Sequence, residues 1–145
     1  MANTLGIVKP DGVRRGLVGT VIHRIERAGL VLRGLKVLQL EREQAERFYE
    51  MHEDKPFYRS LVTFMTSGPI VVVVIGGHRS IERWRELMGA TDPAKARYGT
   101  LRREHGTSVE RNVVHGSDSA ESARREVAFF FSEHEVLAKE AHQHG

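Results

Sequence analysis

The sequence predicts a mixed fold, α/β or α+β, formed as a single unit over residues 1–145. Segments with helical periodicity alternate along the chain with short extended segments, the pattern of a sheet covered by helices. A chain of 145 residues fits one hydrophobic core, and 40% hydrophobic against 28% charged residues supplies the apolar material to fill it.

Leu5 to Val8 is a short apolar run ended by Lys9-Pro10, where proline removes a backbone donor and favours an extended residue before it; it reads as a first strand entering a loop, Asp11 to Gly16. Val18, Val21, Ile22, Ile25 and Ala28 then share one helical face, and Gly29 stops the helix. Leu30 to Leu40 alternates in part and suits a second strand. Glu41 to His52 lacks glycine and proline and places Ala45, Phe48 and Met51 at near-helical spacing; a second helix is expected there, and a short third over Phe57 to Met65, after Pro56. Ile70 to Ile75 is β-branched and apolar on both faces, which marks a central strand covered on both sides. Ser80 can cap a helix in which Ile81, Trp84 and Met88 share a face. Ala90 to Arg111 has no periodicity and exceeds the usual loop length of about 12–15 residues, a frequent property of functional loops. Val113-Val114 is a short extended piece, and Asp118 with Glu121 resembles a capping box opening a last helix that carries Ala123, Val127, Phe130 and Phe131. Residues 135–145 read as a short tail. Its His142-Gln143-His144 could offer nitrogen to a transition metal, but a solvated tail is the better reading.

The absence of cysteine excludes disulfides, thiolate metal sites and cysteine nucleophiles. No signal peptide is visible at the start, and the longest apolar run is far below the roughly 20 residues of a membrane helix, so a cytoplasmic protein without a membrane partner is expected. The formal charge of +3 is mild, and basic residues alternate with acidic ones, which disfavours nucleic acid as the main partner.

The sharpest local feature is Asn112-Val113-Val114-His115-Gly116-Ser117-Asp118. A histidine leaves an extended segment beside a glycine that permits close backbone approach and a helix start whose free N–H groups favour a phosphate. By itself the spacing leaves a structural histidine equally open. With Lys9-Pro10-Asp11-Gly12-Val13, Arg15-Gly16-Leu17-Val18-Gly19, Lys55-Pro56-Phe57, Ser67-Gly68-Pro69, Gly89-Ala90-Thr91 and Gly99-Thr100-Leu101-Arg102, in that order over nearly the whole chain, the run resembles the nucleoside diphosphate kinase family.

The resemblance implies a ferredoxin-like sandwich, a four-stranded antiparallel sheet covered by helices. It also implies ping-pong transfer of the terminal phosphate from a nucleoside triphosphate to a nucleoside diphosphate through a phosphohistidine at His115. A neutral imidazole is a competent nucleophile near pH 7, and its phosphoramidate keeps a high transfer potential. By the same resemblance Glu126, Ser117 and Tyr49 orient the ring, Arg85, Arg102 and Thr91 bind phosphate, and Lys9 and Asn112 contact the sugar hydroxyl and nearby phosphate oxygens. Phe57, Leu61 and Val109 match the surface on which the base stacks. Family members use Mg²⁺ brought in with the nucleotide, and the sequence has no carboxylate cluster that would cage the ion; Mg²⁺ often binds through substrate phosphates and water. They assemble as hexamers or as tetramers built from the same dimer. Tyr98 stands where many members carry proline, and Glu104-His105 replaces a common acidic-aromatic pair. Two other classes compete: an RNA-binding module on a similar sheet, which would need aromatic strand residues absent here, and a silent family member, which would be expected to lose His115 or its phosphate ligands.

Overall fold

The computed structural model describes residues 2–138, so the His142-Gln143-His144 segment lies outside the described residues. Four strands, β1 (Thr4–Val8), β2 (Val31–Leu38), β3 (Ile70–Gly76) and β4 (Val114–Gly116), form one sheet in the order β2-β3-β1-β4, all neighbours antiparallel. Seven helices accompany them: α1 (Pro10–Arg14), α2 (Val18–Arg27), α3 (Arg42–Phe48), α4 (Tyr58–Met65), α5 (Ser80–Met88), α6 (Leu101–His105) and α7 (Ala120–Phe130). The fold is α+β and ferredoxin-like, as expected.

Every residue of β3 is buried, because alternate side chains feed two cores. Val72 and Val74 join Leu5, Ile7, Phe48 and Phe130 on one face, beside α3, α4 and α7. Val71, Val73 and Ile75 join Ile25, Trp84 and Leu101 on the other, beside α2, α5 and α6. The unbroken apolar run of this strand is the direct consequence of double coverage.

Several local expectations are corrected. The segment after Lys9 is one helical turn rather than a loop, since Pro10 at its first position has the φ a helix needs and no orphan donor. The helix expected over Glu41 to His52 ends at Phe48, capped by a Glu41–Gln44 box at its start, and a 3₁₀ turn at Glu50–His52 follows. Arg79, at φ 53°, caps α5; Ser80 is its first residue and its hydroxyl donates to the Ala2 carbonyl instead. The stretch from Ala90 to Arg111 contains a 3₁₀ turn at Pro93–Lys95 and the helix α6, with Asp92 and Thr100 side chains accepting from their first-turn amides. At α7 the capping box is Ser119 with Ser122, not Asp118 with Glu121. The start of the expected tail is tied down: the Leu137 amide donates to the Arg33 carbonyl at 3.0 Å, and Lys36 Nζ reaches Glu135 at 2.8 Å.

Candidate active site

β4 is short, and its middle residue is His115, opposite Ile7 of β1. Cross-strand partners share a face, so the imidazole points to the same side as the Ile7 core, where it meets the edge of Phe48 with ring centroids 5.8 Å apart. On that side α7 presents Glu126. His115 Nε2 lies 2.9 Å from Glu126 Oε1, and Ser117 Oγ donates to the same oxygen at 2.8 Å. The Glu126 side chain is 8% exposed and that of His115 20%. A carboxylate only accepts, so Nε2 carries the proton and the lone pair sits on Nδ1. Ser117 is itself fully buried and accepts from the Leu5 amide, which ties the carboxylate to β1.

The opposite side of β4 is held by its carbonyls. Trp84 Nε1 donates to the His115 carbonyl at 3.2 Å, and Arg102 donates to the Val114 carbonyl at 2.7 Å and the Gly89 carbonyl at 2.9 Å. Gly116 allows this approach, since a Cβ there would lie 2.6 Å from Trp84 Nε1. Just before the strand, Val113 has φ 77°, and the Val114 amide returns to the Asn112 carbonyl at 2.9 Å. That closes a three-residue γ-turn, a strained conformation for a β-branched residue, costing about 1–3 kcal/mol.

Cations converge around this strand. Lys9 Nζ donates to Asn112 Oδ1 at 2.7 Å, and Asn112 Nδ2 donates to the Thr91 carbonyl at 3.0 Å. Burial, with the nearby Arg102 guanidinium, pulls the Lys9 ammonium down to about 8. Burial and the neighbouring Arg85 lower Arg102 to about 10. Arg85, Thr91, Arg102 and Asp118 line an open cleft of about 900 Å³ between α5 and the segment from Gly89 to Arg102. His115 is not among its walls; Arg102 and Asp118 join the cleft to the strand that bears it. Hydrogen bonds from Ser122 hold the Asp118 carboxyl below its ordinary range. Among the described residues no cluster of three or more histidine and acidic side chains could hold a metal ion.

The remaining expected residues sit on the far flank. Phe57 is 48% exposed, Val109 is 55% exposed, and Leu61 is partly buried against the core. Ser60 Oγ donates to Glu110 Oε2 at 2.7 Å, which fastens the Val109 loop to α4 beside Phe57. Tyr49 is buried next to Phe48, and no hydrogen bond joins its hydroxyl to His115 or to any other described residue; burial and the Glu126 carboxylate raise its pKa. The unusual loop residues have partners of their own: Glu104 pairs with Arg24 at 3.0 Å, Arg15 donates to the His105 carbonyl, and Arg103 lies over the Tyr98 ring at 4.6 Å.

The family model for nucleoside diphosphate kinase matches residues 2–136. The chain belongs to that family. It is 54% identical over 140 residues to a nucleoside diphosphate kinase of Carboxydothermus hydrogenoformans, covering 97% of this chain and 94% of the relative. It is 50% identical over 139 residues to that of Desulfosudis oleivorans, covering 96% and 100%. A solved structure of the Halobacterium salinarum enzyme in complex with CDP superposes with a TM-score of 0.91 at 41% identity, over 95% of this chain and 92% of that one. The chain is therefore a phosphotransferase that moves the terminal phosphate of a nucleoside triphosphate to a nucleoside diphosphate by way of a phosphohistidine. No described helix is long and apolar enough to cross a membrane.

Sequence reading missed three contributors to this geometry: Trp84, Phe48 and Asp118. In the sequence Trp84 and Phe48 are indistinguishable from ordinary core residues, and only their contacts with His115 set them apart. Asp118 reads there as a helix cap.

Proposed function

We propose that His115 is the phosphorylated residue and attacks through Nδ1. The observation that carries this is the buried Glu126 carboxylate on Nε2 at 2.9 Å, which holds the proton there. In the first half-reaction the Nδ1 lone pair forms a bond to the γ-phosphorus. The bond to the β–γ bridging oxygen breaks, and the nucleoside diphosphate leaves with that electron pair. The second half-reaction runs the same steps in reverse onto a different diphosphate. As the ring gains positive charge, Glu126 stabilises it and Ser117 keeps the carboxylate aligned.

Arg85 and Arg102 neutralise the moving phosphoryl group and its leaving oxygen, with the Thr91 hydroxyl as a further donor. Lys9 and Asn112 contact the sugar hydroxyl and adjacent phosphate oxygens. The unpartnered Tyr49 hydroxyl is a buried donor beside Glu126, suited to hold the ring or a phosphate oxygen in the complex. Phe57, Leu61 and Val109 form the surface on which the base stacks; stacking accepts every base, so exchange among all common nucleotides follows. The solved complex of the Halobacterium salinarum relative with CDP supports a nucleotide as the ligand.

Mg²⁺ enters with the nucleotide and is held chiefly by its phosphates and water; the Asp118 carboxylate, in the cleft with Arg85, is the side chain suited to hold one of those waters. When bound it supplies charge neutralisation on the phosphates. The whole chain acts as one domain in the cytoplasm, with nucleotides rather than nucleic acid as its partners. It works as a homo-oligomer, either a hexamer or a tetramer, built from dimers. Support comes from β2, an edge strand that leaves Leu35 46% and Val37 67% exposed.

The test is to mix the protein with Mg²⁺ and γ-labelled ATP. Label that is acid-labile, alkali-stable and discharged by GDP is expected on wild type and absent from His115→Ala. Persistent label on that variant refutes the assignment.

A further inference from the structure

The γ-turn at Val113 is the backbone anomaly closest to the reacting histidine, and the backbone groups of Val113 itself are held by the segment after β1. Asp11 Oδ2 accepts the Val113 amide at 3.1 Å. The Lys9 amide donates to the Val113 carbonyl at 2.8 Å. Gly12 packs flat against the turn, where a Cβ would lie 3.0 Å from Val113 Cγ1 and 3.2 Å from the Val113 carbonyl oxygen. The arrangement is expensive in kind. Asp11 is only 6% exposed, and its Oδ1 is buried without a hydrogen-bond partner among the described residues. Burying a carboxylate that is half satisfied opposes folding, as does holding a valine at positive φ. Two such costs joined by one hydrogen bond persist where the surroundings over-determine them, which is characteristic of sites that need a fixed geometry.

The turn stands at a branch point. Asn112, immediately before Val113, bridges Lys9 and Thr91; Val114, immediately after it, gives its carbonyl to Arg102; His115 follows. Rotation at Val113 would move the histidine relative to all three. We propose that Asp11 is a positioning residue for phosphoryl transfer: its carboxylate locks the Val113 turn and through it fixes His115 relative to the cationic groups. This rests on His115 being the nucleophile. Asp11 itself touches no reacting atom. The alternative is an acid that merely supports the first turn of α1, and it predicts a loss of stability with no selective effect on the chemical step.

The experiment measures phosphohistidine formation in single turnovers with Mg²⁺ and ATP, alongside ADP affinity and thermal melting. In Asp11→Ala the rate constant should fall about 10–100-fold, the scale of a small misplacement of a reacting group, while ADP affinity stays within about threefold. Asp11→Asn keeps a weaker, neutral acceptor and should fall about 2–10-fold. Adding Val113→Gly removes the penalty on positive φ and should recover at least about threefold in the Asp11→Ala background and bring Asp11→Asn to within about twofold of wild type. An Asp11→Ala variant within twofold of wild type, a loss confined to ADP affinity, or no recovery with glycine overturns the proposal. Where Asp11→Ala does not fold, Asp11→Asn with and without Val113→Gly decides it on the same terms. Failure of the nucleophile assignment is seen separately, as label surviving in His115→Ala.

Discussion

Glu126→Gln separates the charge of the carboxylate from its shape. Both of its hydrogen bonds converge on Oε1, from His115 at 2.9 Å and Ser117 at 2.8 Å, and the side chain is 8% exposed, so solvent does little to screen it. A glutamine oxygen still accepts both protons but no longer opposes the positive charge that grows on the ring. Charge-assisted hydrogen bonds contribute about 1.5–3 kcal/mol and neutral ones about 0.5–1.5, so the difference is about 1–1.5 kcal/mol, or roughly tenfold in rate. Glu126→Ala removes the acceptor as well and should slow transfer by about 100-fold, and it leaves the buried Ser117 hydroxyl proton without an acceptor at a further stability cost of about 1–2 kcal/mol. Rapid-quench measurement of phosphohistidine formation gives the rates, and ADP titration gives affinity, which should hold because Glu126 lies behind the ring. A wild-type rate in Glu126→Gln would remove the carboxylate's charge from the mechanism.

Lys9, lowered to about 8 mainly by burial, should lose its charge in the free enzyme as pH rises past that value; kcat/KM should decline there, and kcat should hold to higher pH because bound phosphates favour the ammonium. The sign for stability is opposite: the folded pKa lies below the ordinary 10.5, so the cost of burying the ammonium is complete below about pH 8 and is relieved between 8 and 10.5, by on the order of 3 kcal/mol, a rise that Lys9→Met should lack in chemical denaturation. Trp84 is the single tryptophan, and its indole is bonded to the His115 carbonyl, so its emission should change when ATP phosphorylates the histidine and revert on addition of GDP. Emission unmoved by phosphorylation would break that link. Trp84→Phe, losing one hydrogen bond of about 1 kcal/mol, should slow phosphorylation about fivefold.

The parts of the fold that were legible in the sequence are those whose periodicity is enforced by one environment along their whole length. α2 presents one stripe to one core, and β3 is buried on both faces. α6 was invisible because five residues are too few to show a period; it exists because Leu101 is fully buried, Arg102 is bonded to two distant carbonyls and Thr100 caps its start. The turn at Val113 runs against local preference, since valine favours extended backbone, and it is the distant Asp11 and Lys9 that bond its own amide and carbonyl. The candidate site residues come from likeness to a family rather than from pattern. Likeness supplied Glu126 as the partner of the His115 ring; what it did not supply were Trp84 and Phe48, which meet the same strand from two other elements.

The charge arrangement around that strand explains how one histidine can both accept and release a phosphate. A carboxylate beside the nucleophile repels an incoming polyanion, and here Glu126 is buried behind the ring, with Arg125 3.6 Å from its outer oxygen. Around β4 the sign is reversed and incompletely compensated: burial and Arg85 lower the affinity of Arg102 for its own proton, and burial and Arg102 do the same to Lys9. Like charges held together by a rigid backbone oppose folding, and a phosphate placed among them relieves that repulsion. The relief is available to any polyphosphate and asks nothing of the base. With His115 as the proposed carrier, it is also largest where charge is most concentrated, on the group in flight, so the same cations would favour transfer in both directions.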